Sequence, residues 1–152
     1  MRLLRCMTLG IKKDFLYTRR SEKDVQSPSE TLESRRGSCR DFALLMMEAA
    51  RSLGLAARFV SGYIFVPDME ASGTVGGGAT HAWMQAYLPG TGWIDFDPTN
   101  SIVGNRNLIR VAVAWDPKQV LPLWGTFVGS EKTRVFVASS LPVRCRFVAA
   151  PV

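Results

Sequence analysis

The chain has 152 residues, 47% of them hydrophobic, and a formal charge of +6. Those values describe one domain, residues 1–152, large enough to bury a real core, and they exclude a disordered chain. The arginines are scattered rather than gathered into a run, which argues against a nucleic-acid partner and reads as solubility and an acidic partner surface.

No apolar run approaches the length of a membrane span, so no membrane partner is expected. Residues 1–6 are too short and too interrupted for a signal peptide, and the expected compartment is the cytoplasm. The three cysteines, Cys6, Cys39 and Cys145, are an odd count at wide spacing, which fits reduced thiols rather than a disulfide framework. With a single histidine there is no zinc-site spacing, and neither a metal nor a cofactor is expected.

In chain order, residues 3–17 are expected to hold a short helix with Leu4, Met7, Ile11 and Phe15 facing the core, its end giving way to an extended piece over residues 15–18. Tyr17 reads as a packed aromatic whose hydroxyl could also approach a thiol. Residues 21–26 form a polar loop. Residues 27–33 read as a short capped helix, and residues 34–37 as the turn that follows.

The next segment, Arg36-Gly37-Ser38-Cys39-Arg40-Asp41-Phe42-Ala43, opens an amphipathic helix. Residues 40–53 contain neither proline nor glycine, and Gly54 is the expected stop. Phe42, Met46, Ala49 and Leu53 recur at helical spacing with Leu45 beside them, and a step of three back from Phe42 reaches Cys39. The thiol therefore points inward. At a helix start it meets unpaired backbone N–H groups and the positive end of the helix dipole, with Arg35, Arg36 and Arg40 nearby in sequence, all of which favour thiolate. A buried cysteine that merely begins a helix is the plainer alternative.

Residues 57–66 are β-branched and aromatic enough for a buried strand ending at Pro67. Residues 67–79 carry four glycines and read as a loop, either a tolerated insertion or a lid beside the next strand. That strand, residues 80–88, holds the only histidine, with His81, Trp83, Gln85 and Tyr87 on one face and Ala82, Met84, Ala86 and Leu88 on the other. A turn over residues 89–92 leads to residues 93–98, where Trp93, Asp95 and Asp97 alternate with Ile94 and Phe96. Residues 108–115, 134–138 and 143–148 are further strand-like segments.

Parity governs this hairpin. Residues 88–92 make an odd, five-residue connection, which places Tyr87 opposite Trp93, Gln85 opposite Asp95 and Trp83 opposite Asp97. His81 then lies diagonal to Asp97 at roughly 7 Å, a gap that an imidazole and a carboxylate bridge. Asp95 is the rival carboxylate on the same face.

The order of a Gly-x-Cys-Arg-Asp helix start, His81-Ala82-Trp83 and Gly92-Trp93-x-x-x-Asp97-Pro98-Thr99 resembles the transglutaminase-like superfamily, in particular its bacterial branch of candidate cysteine proteases. The likeness extends from about residue 15 to residue 129. It implies an α+β, papain-like fold in which N-terminal helices carry the nucleophile at a helix start and pack on an antiparallel sheet, with a catalytic triad matching Cys39, His81 and Asp97. It also implies cysteine-dependent acyl transfer on a peptide or protein substrate through a thioester, by hydrolysis ahead of amine transfer. Relatives complete the oxyanion hole with an indole or amide donor. No tryptophan precedes Cys39, so Tyr17 is the candidate second donor, and Trp83 reads as a cleft wall or a core aromatic rather than a chemical participant. Relatives also carry a β-rich region ahead of this core, so the chain reads as a fragment or a short version. A non-catalytic peptide-binding module and an arylamine acetyltransferase-like acyltransferase are the alternative readings.

Overall fold

A computed structural model describes residues 1–19, 25–66, 74–75, 79–104 and 107–121. The strand-like segments 134–138 and 143–148, Cys145 and most of the glycine-rich loop lie outside those residues.

Helix α1 (Arg2–Asp14) buries Leu4, Thr8 and Ile11, and the Thr8 hydroxyl donates to the Leu4 carbonyl oxygen at 2.8 Å. A threonine thus occupies the stripe without an unpaired hydroxyl. Phe15 leaves the helix and meets Phe42 edge-on, with ring centroids 5.8 Å apart. A two-residue strand, β1 (Leu16–Tyr17), follows. Helix α2 (Pro28–Ser34) starts at Ser27, whose hydroxyl accepts from the Glu30 N–H while the Glu30 carboxylate accepts from the Ser27 N–H. Arg35 then turns the chain through the left-handed region at φ 50° into β2 (Arg36–Gly37), which pairs in parallel with β1.

Helix α3 (Cys39–Ser52) is the central helix, and Gly54 closes its end at φ +78°. Its buried face runs through Cys39, Phe42, Ala43, Met46, Met47 and Ala50. Leu53, expected on that face, is 56% exposed because it already lies at the C-cap, off the helical stripe.

The remaining strands are β3 (Ala57–Ile64), β4 (Thr80–Leu88), β5 (Gly92–Asp97), β6 (Ile102–Val103) and β7 (Leu108–Ala114). They form an antiparallel sheet in the order β6-β5-β4-β3-β7, followed by a 3-10 turn, Pro117–Val120. The fold is α+β and papain-like. Phe42, Met46, Met47 and Ala50 of α3 share a core with Phe59, Ala82, Met84, Ala86 and Phe96 of the sheet, while Val60, Ile64, Trp83 and Leu108 form a second cluster. Each large side chain buried there contributes roughly 1.5–3 kcal/mol of transfer free energy.

As the middle strand, β4 is buried on both sides, so His81, Trp83 and Gln85 are as dry as the alanines between them. Hydrophobic patterning cannot mark a strand in that position, because neither face meets water. The β4–β5 ladder pairs Gln85 with Asp95 and Tyr87 with Trp93, the register that parity requires. The turn is shorter than expected: Leu88 pairs with Gly92, which leaves three connecting residues, still an odd number.

Candidate active site

Two backbone features deliver Cys39. The β1–β2 pairing sets Tyr17 beside Gly37, two residues before the cysteine. Gly37 is needed there, since a Cβ at that position would come within 2.9 Å of the Asp41 Cβ and 3.2 Å of the Phe42 ring. Asp41 then anchors the helix start. Its carboxylate, 1% exposed, accepts from the Ser38 N–H at 2.7 Å, the Ser38 hydroxyl at 2.8 Å and the Gln26 N–H at 2.7 Å. The anion satisfies orphan donors at the positive end of the dipole and ties in the preceding loop.

Across from Cys39, the His81 Nε2–H donates to the Asp97 Oδ2 at 2.8 Å, and both side chains are fully buried. Asp97 is itself held by donors from the turn after β5: the Thr99 N–H at 2.9 Å and the Asn100 N–H at 3.3 Å reach Oδ1, and the Asn100 amide reaches Oδ2 at 3.0 Å. The Asn100 side chain also exchanges hydrogen bonds with the backbone of Val75, joining this turn to the segment before β4. Thr99 belongs to the Asp97-Pro98-Thr99 motif, whereas Asn100 has no place in the sequence pattern. The signal for Asn100 is the turn composition Asp97-Pro98-Thr99-Asn100, in which an aspartate readily accepts from N–H groups two and three residues on.

The rival carboxylate is otherwise engaged. Asp95 accepts from the Trp83 indole N–H and from the Gln85 amide, each at 2.7 Å, and Gln85 in turn accepts from Arg58 at 2.8 Å. Trp83 is therefore not a cleft wall or an oxyanion donor. It is 0% exposed, it is absent from the cleft lining, and its indole N–H is spent on Asp95. Its ring lies roughly parallel to the imidazole, with centroids 6.0 Å apart and planes at 26°, so it supports His81 from behind. Room for that indole comes from Gly62, which pairs with His81 in the β3–β4 ladder.

The cleft, a cavity of about 200 Å³, opens over the start of β4 and brings Tyr17, Ser38, Cys39, Ser61 and His81 together. Burial works to lower the imidazole pKa, but hydrogen bonds to Asp97 and Cys39 and the negative charges of both outweigh it, pushing His81 up to about 10 from its ordinary 6.5. Nδ1 of the ring is buried and meets no partner at full hydrogen-bond geometry, leaving it as the nitrogen open to the thiol. Tyr17 is raised as well, first by burial and then by the charge of Cys39, against the opposing effect of Arg19. Its hydroxyl thus stays protonated, and a donor, at neutral pH.

The linkage follows from those directions. A histidine whose folded pKa lies above its unfolded value contributes stability that is complete below about 6.5 and is lost as pH rises towards about 10. An NMR titration of the His81 ring is expected to show its midpoint near 10, moving down once Cys39 is alkylated, because alkylation removes the thiol's hydrogen bond and charge. A midpoint near 6.5 would show that the ring is not held between the two groups.

The transglutaminase-like superfamily model matches residues 4–98, a span that includes all three of these side chains, and the chain belongs to that superfamily. It is 38% identical over 104 residues to an uncharacterised protein of Mycobacterium leprae, covering 68% of this chain and 37% of the relative. It is 33% identical over 142 residues to one of Mycobacterium tuberculosis, covering 90% of this chain and 45% of the relative, so it spans less than half the length of these curated relatives. Among solved structures it is similar to a candidate cysteine protease from Cytophaga hutchinsonii, with a TM-score of 0.60 and 31% identity over 76% of this chain and 36% of that one. It also shares its fold with Legionella pneumophila LapG, at a TM-score of 0.54 and 18% identity over 73% of this chain and 62% of that one.

Proposed function

We propose that the protein is a cysteine-dependent acyl-transfer enzyme acting on peptide or protein amide bonds, with hydrolysis as its main reaction. The observation that carries this reading is the position of His81, bonded through Nε2 to Asp97 with Nδ1 left for Cys39 at a cleft. In this reading His81 takes the proton of the Cys39 thiol, and Asp97 fixes the tautomer and stabilises the imidazolium. The thiolate attacks the acyl carbon, the carbonyl oxygen takes the negative charge, and collapse expels the amine, which leaves with a proton from His81. Water then attacks the thioester, giving up a proton to His81, and the carboxylic acid departs as the thiol re-forms.

The developing oxyanion needs donors. Cys39 is the first residue of α3, where a backbone N–H has no partner within the helix, and the Tyr17 hydroxyl is the second donor in this proposal. Hydrolysis is placed ahead of amine transfer on the likeness to the Cytophaga protein and not on any residue of the cleft. The cytoplasm is kept as the proposed compartment on the reduced-thiol reading of the cysteines.

The direct test is site-resolved alkylation by iodoacetamide at neutral pH. Cys39, although buried, is expected to react faster than exposed Cys6 and than Cys145, and His81→Ala is expected to abolish that advantage. Equal rates, indifferent to His81, would return the site to a peptide-binding cleft without chemistry. A glutamine-bearing peptide with a labelled amine separates the two outcomes for the thioester. Ammonia release without label is the expected result, and efficient incorporation of label would make the protein a transglutaminase.

A further inference from the structure

The charged side chains lining the cleft are all basic. Arg19, Arg40 and His81 all line it, and no aspartate or glutamate does so among the described residues. Asp97 and Asp41, the nearby carboxylates, are buried and committed to hydrogen bonds already described. Neither arginine forms an ion pair with a carboxylate among the described residues. Among the described residues Arg40 makes one long hydrogen bond, 3.4 Å from a terminal guanidinium nitrogen to the Pro117 carbonyl oxygen, and its buried Nε has no hydrogen-bond partner. With only that one long bond from a terminal nitrogen among the described residues, the guanidinium keeps donor capacity that a ligand's carboxylate would take up.

Resting on the proposed function, we propose that Arg40, assisted by Arg19, is a specificity residue that binds a carboxylate of the substrate close to the attacked carbonyl. The planar fork of arginine matches a carboxylate through two parallel N–H donors, and the 14-residue helix α3 adds the positive end of its dipole at the same place. The substrate class this selects is an acidic peptide. Its carboxylate comes from an acidic side chain beside the scissile bond or from a nearby C-terminal α-carboxylate.

The test uses the whole chain and needs no known substrate. Cys39 and Cys6 are alkylated with iodoacetate and with iodoacetamide, reagents of similar size that differ in charge, and the rate ratio at each cysteine cancels the reactivity of the thiol itself. The iodoacetate-to-iodoacetamide ratio is expected to be higher at Cys39 than at Cys6, and to fall about three- to tenfold in R40Q and less in R19Q, as removal of a near, partly screened charge predicts. R40K is expected to retain only part of the preference, because it keeps the charge and loses the fork. R19Q, on an exposed residue, answers the question should R40Q fold poorly.

Protection of Cys39 from iodoacetamide identifies the source of the carboxylate. One arm uses a blocked glutamyl peptide and its glutaminyl match; the other uses a neutral peptide with a free or an amidated C-terminus. Protection by one acidic member, reduced in R40Q, is the expected result. A ratio unchanged in both variants, or no difference within either peptide pair, would overturn this inference while leaving the acyl-transfer reading intact. Failure of Cys39 to react with either reagent would overturn that reading and this inference with it.

Discussion

Asp97→Asn is expected to lower the rate of amide-bond cleavage by about 10²- to 10⁴-fold while the chain remains folded. The size of the loss follows from the tautomer. Asp97 accepts from His81 and the Asn100 amide through Oδ2 and from two backbone N–H groups through Oδ1. An asparagine keeps its one carbonyl oxygen towards those backbone donors and turns its NH₂ towards His81, so Nε2 must become the acceptor. The ring proton then sits on Nδ1, facing the thiol it should deprotonate. Burial, no longer opposed by a carboxylate, drives the imidazole pKa down from about 10. The variant should therefore alkylate slowly at Cys39 at neutral pH and recover as pH rises and the thiol ionises unaided. A variant with undiminished cleavage would remove Asp97 from the mechanism, and Asp95→Asn, whose one amide oxygen can still accept from Trp83 and Gln85, is the control expected to cost far less cleavage.

Gly62→Ala is expected to be among the most damaging single changes outside the triad, costing about 3 kcal/mol or more of stability, at the upper end of overpacking effects. An added Cβ would overlap the Ile109 carbonyl oxygen and come within 2.8 Å of the Trp83 Cη2 atom. Relief is blocked on every side. The carbonyl belongs to the β3–β7 ladder, which already shifts register between Ser61 and Gly62, and the indole is pinned by its hydrogen bond to Asp95. Whatever movement the indole makes is passed to the imidazole lying on it. Chemical denaturation should show the loss as a lower midpoint, and the surviving folded fraction should show slower alkylation of Cys39. Full stability in Gly62→Ala would mean that β7 can move away from β3, and full reactivity that Trp83 does not position His81.

The site was legible in the sequence wherever a one-dimensional period decided it. The helix-start position of Cys39 follows from apolar spacing, a terminal glycine and a favourable cap, and all of these act within a few residues of the cysteine. The two-residue period of a strand and an odd turn put both Asp95 and Asp97 on the face of His81, and the register, together with the Asp97-Pro98-Thr99 match, selects Asp97. The hairpin register Gln85 with Asp95 observes that parity, although the turn is tighter than a count of unpaired residues suggested.

Tertiary structure decided what depends on the third dimension. Trp83 is on the face that alternation assigns it, but only the packing of β4 at the middle of the sheet makes that face dry and puts the indole behind His81 instead of on the cleft wall. The placement of β7 beside β3 joins residues some fifty positions apart, and with it comes the need for Gly62 to lack a side chain. Asn100 and Asp41 gain their importance from partners at Val75 and Gln26, which no periodicity links to them. The presence of both Arg19 and Arg40 at the cleft has the same origin. Local periods are set by backbone geometry and are written in each segment, whereas contacts between segments are chosen by how whole faces pack, a choice made by many residues at once.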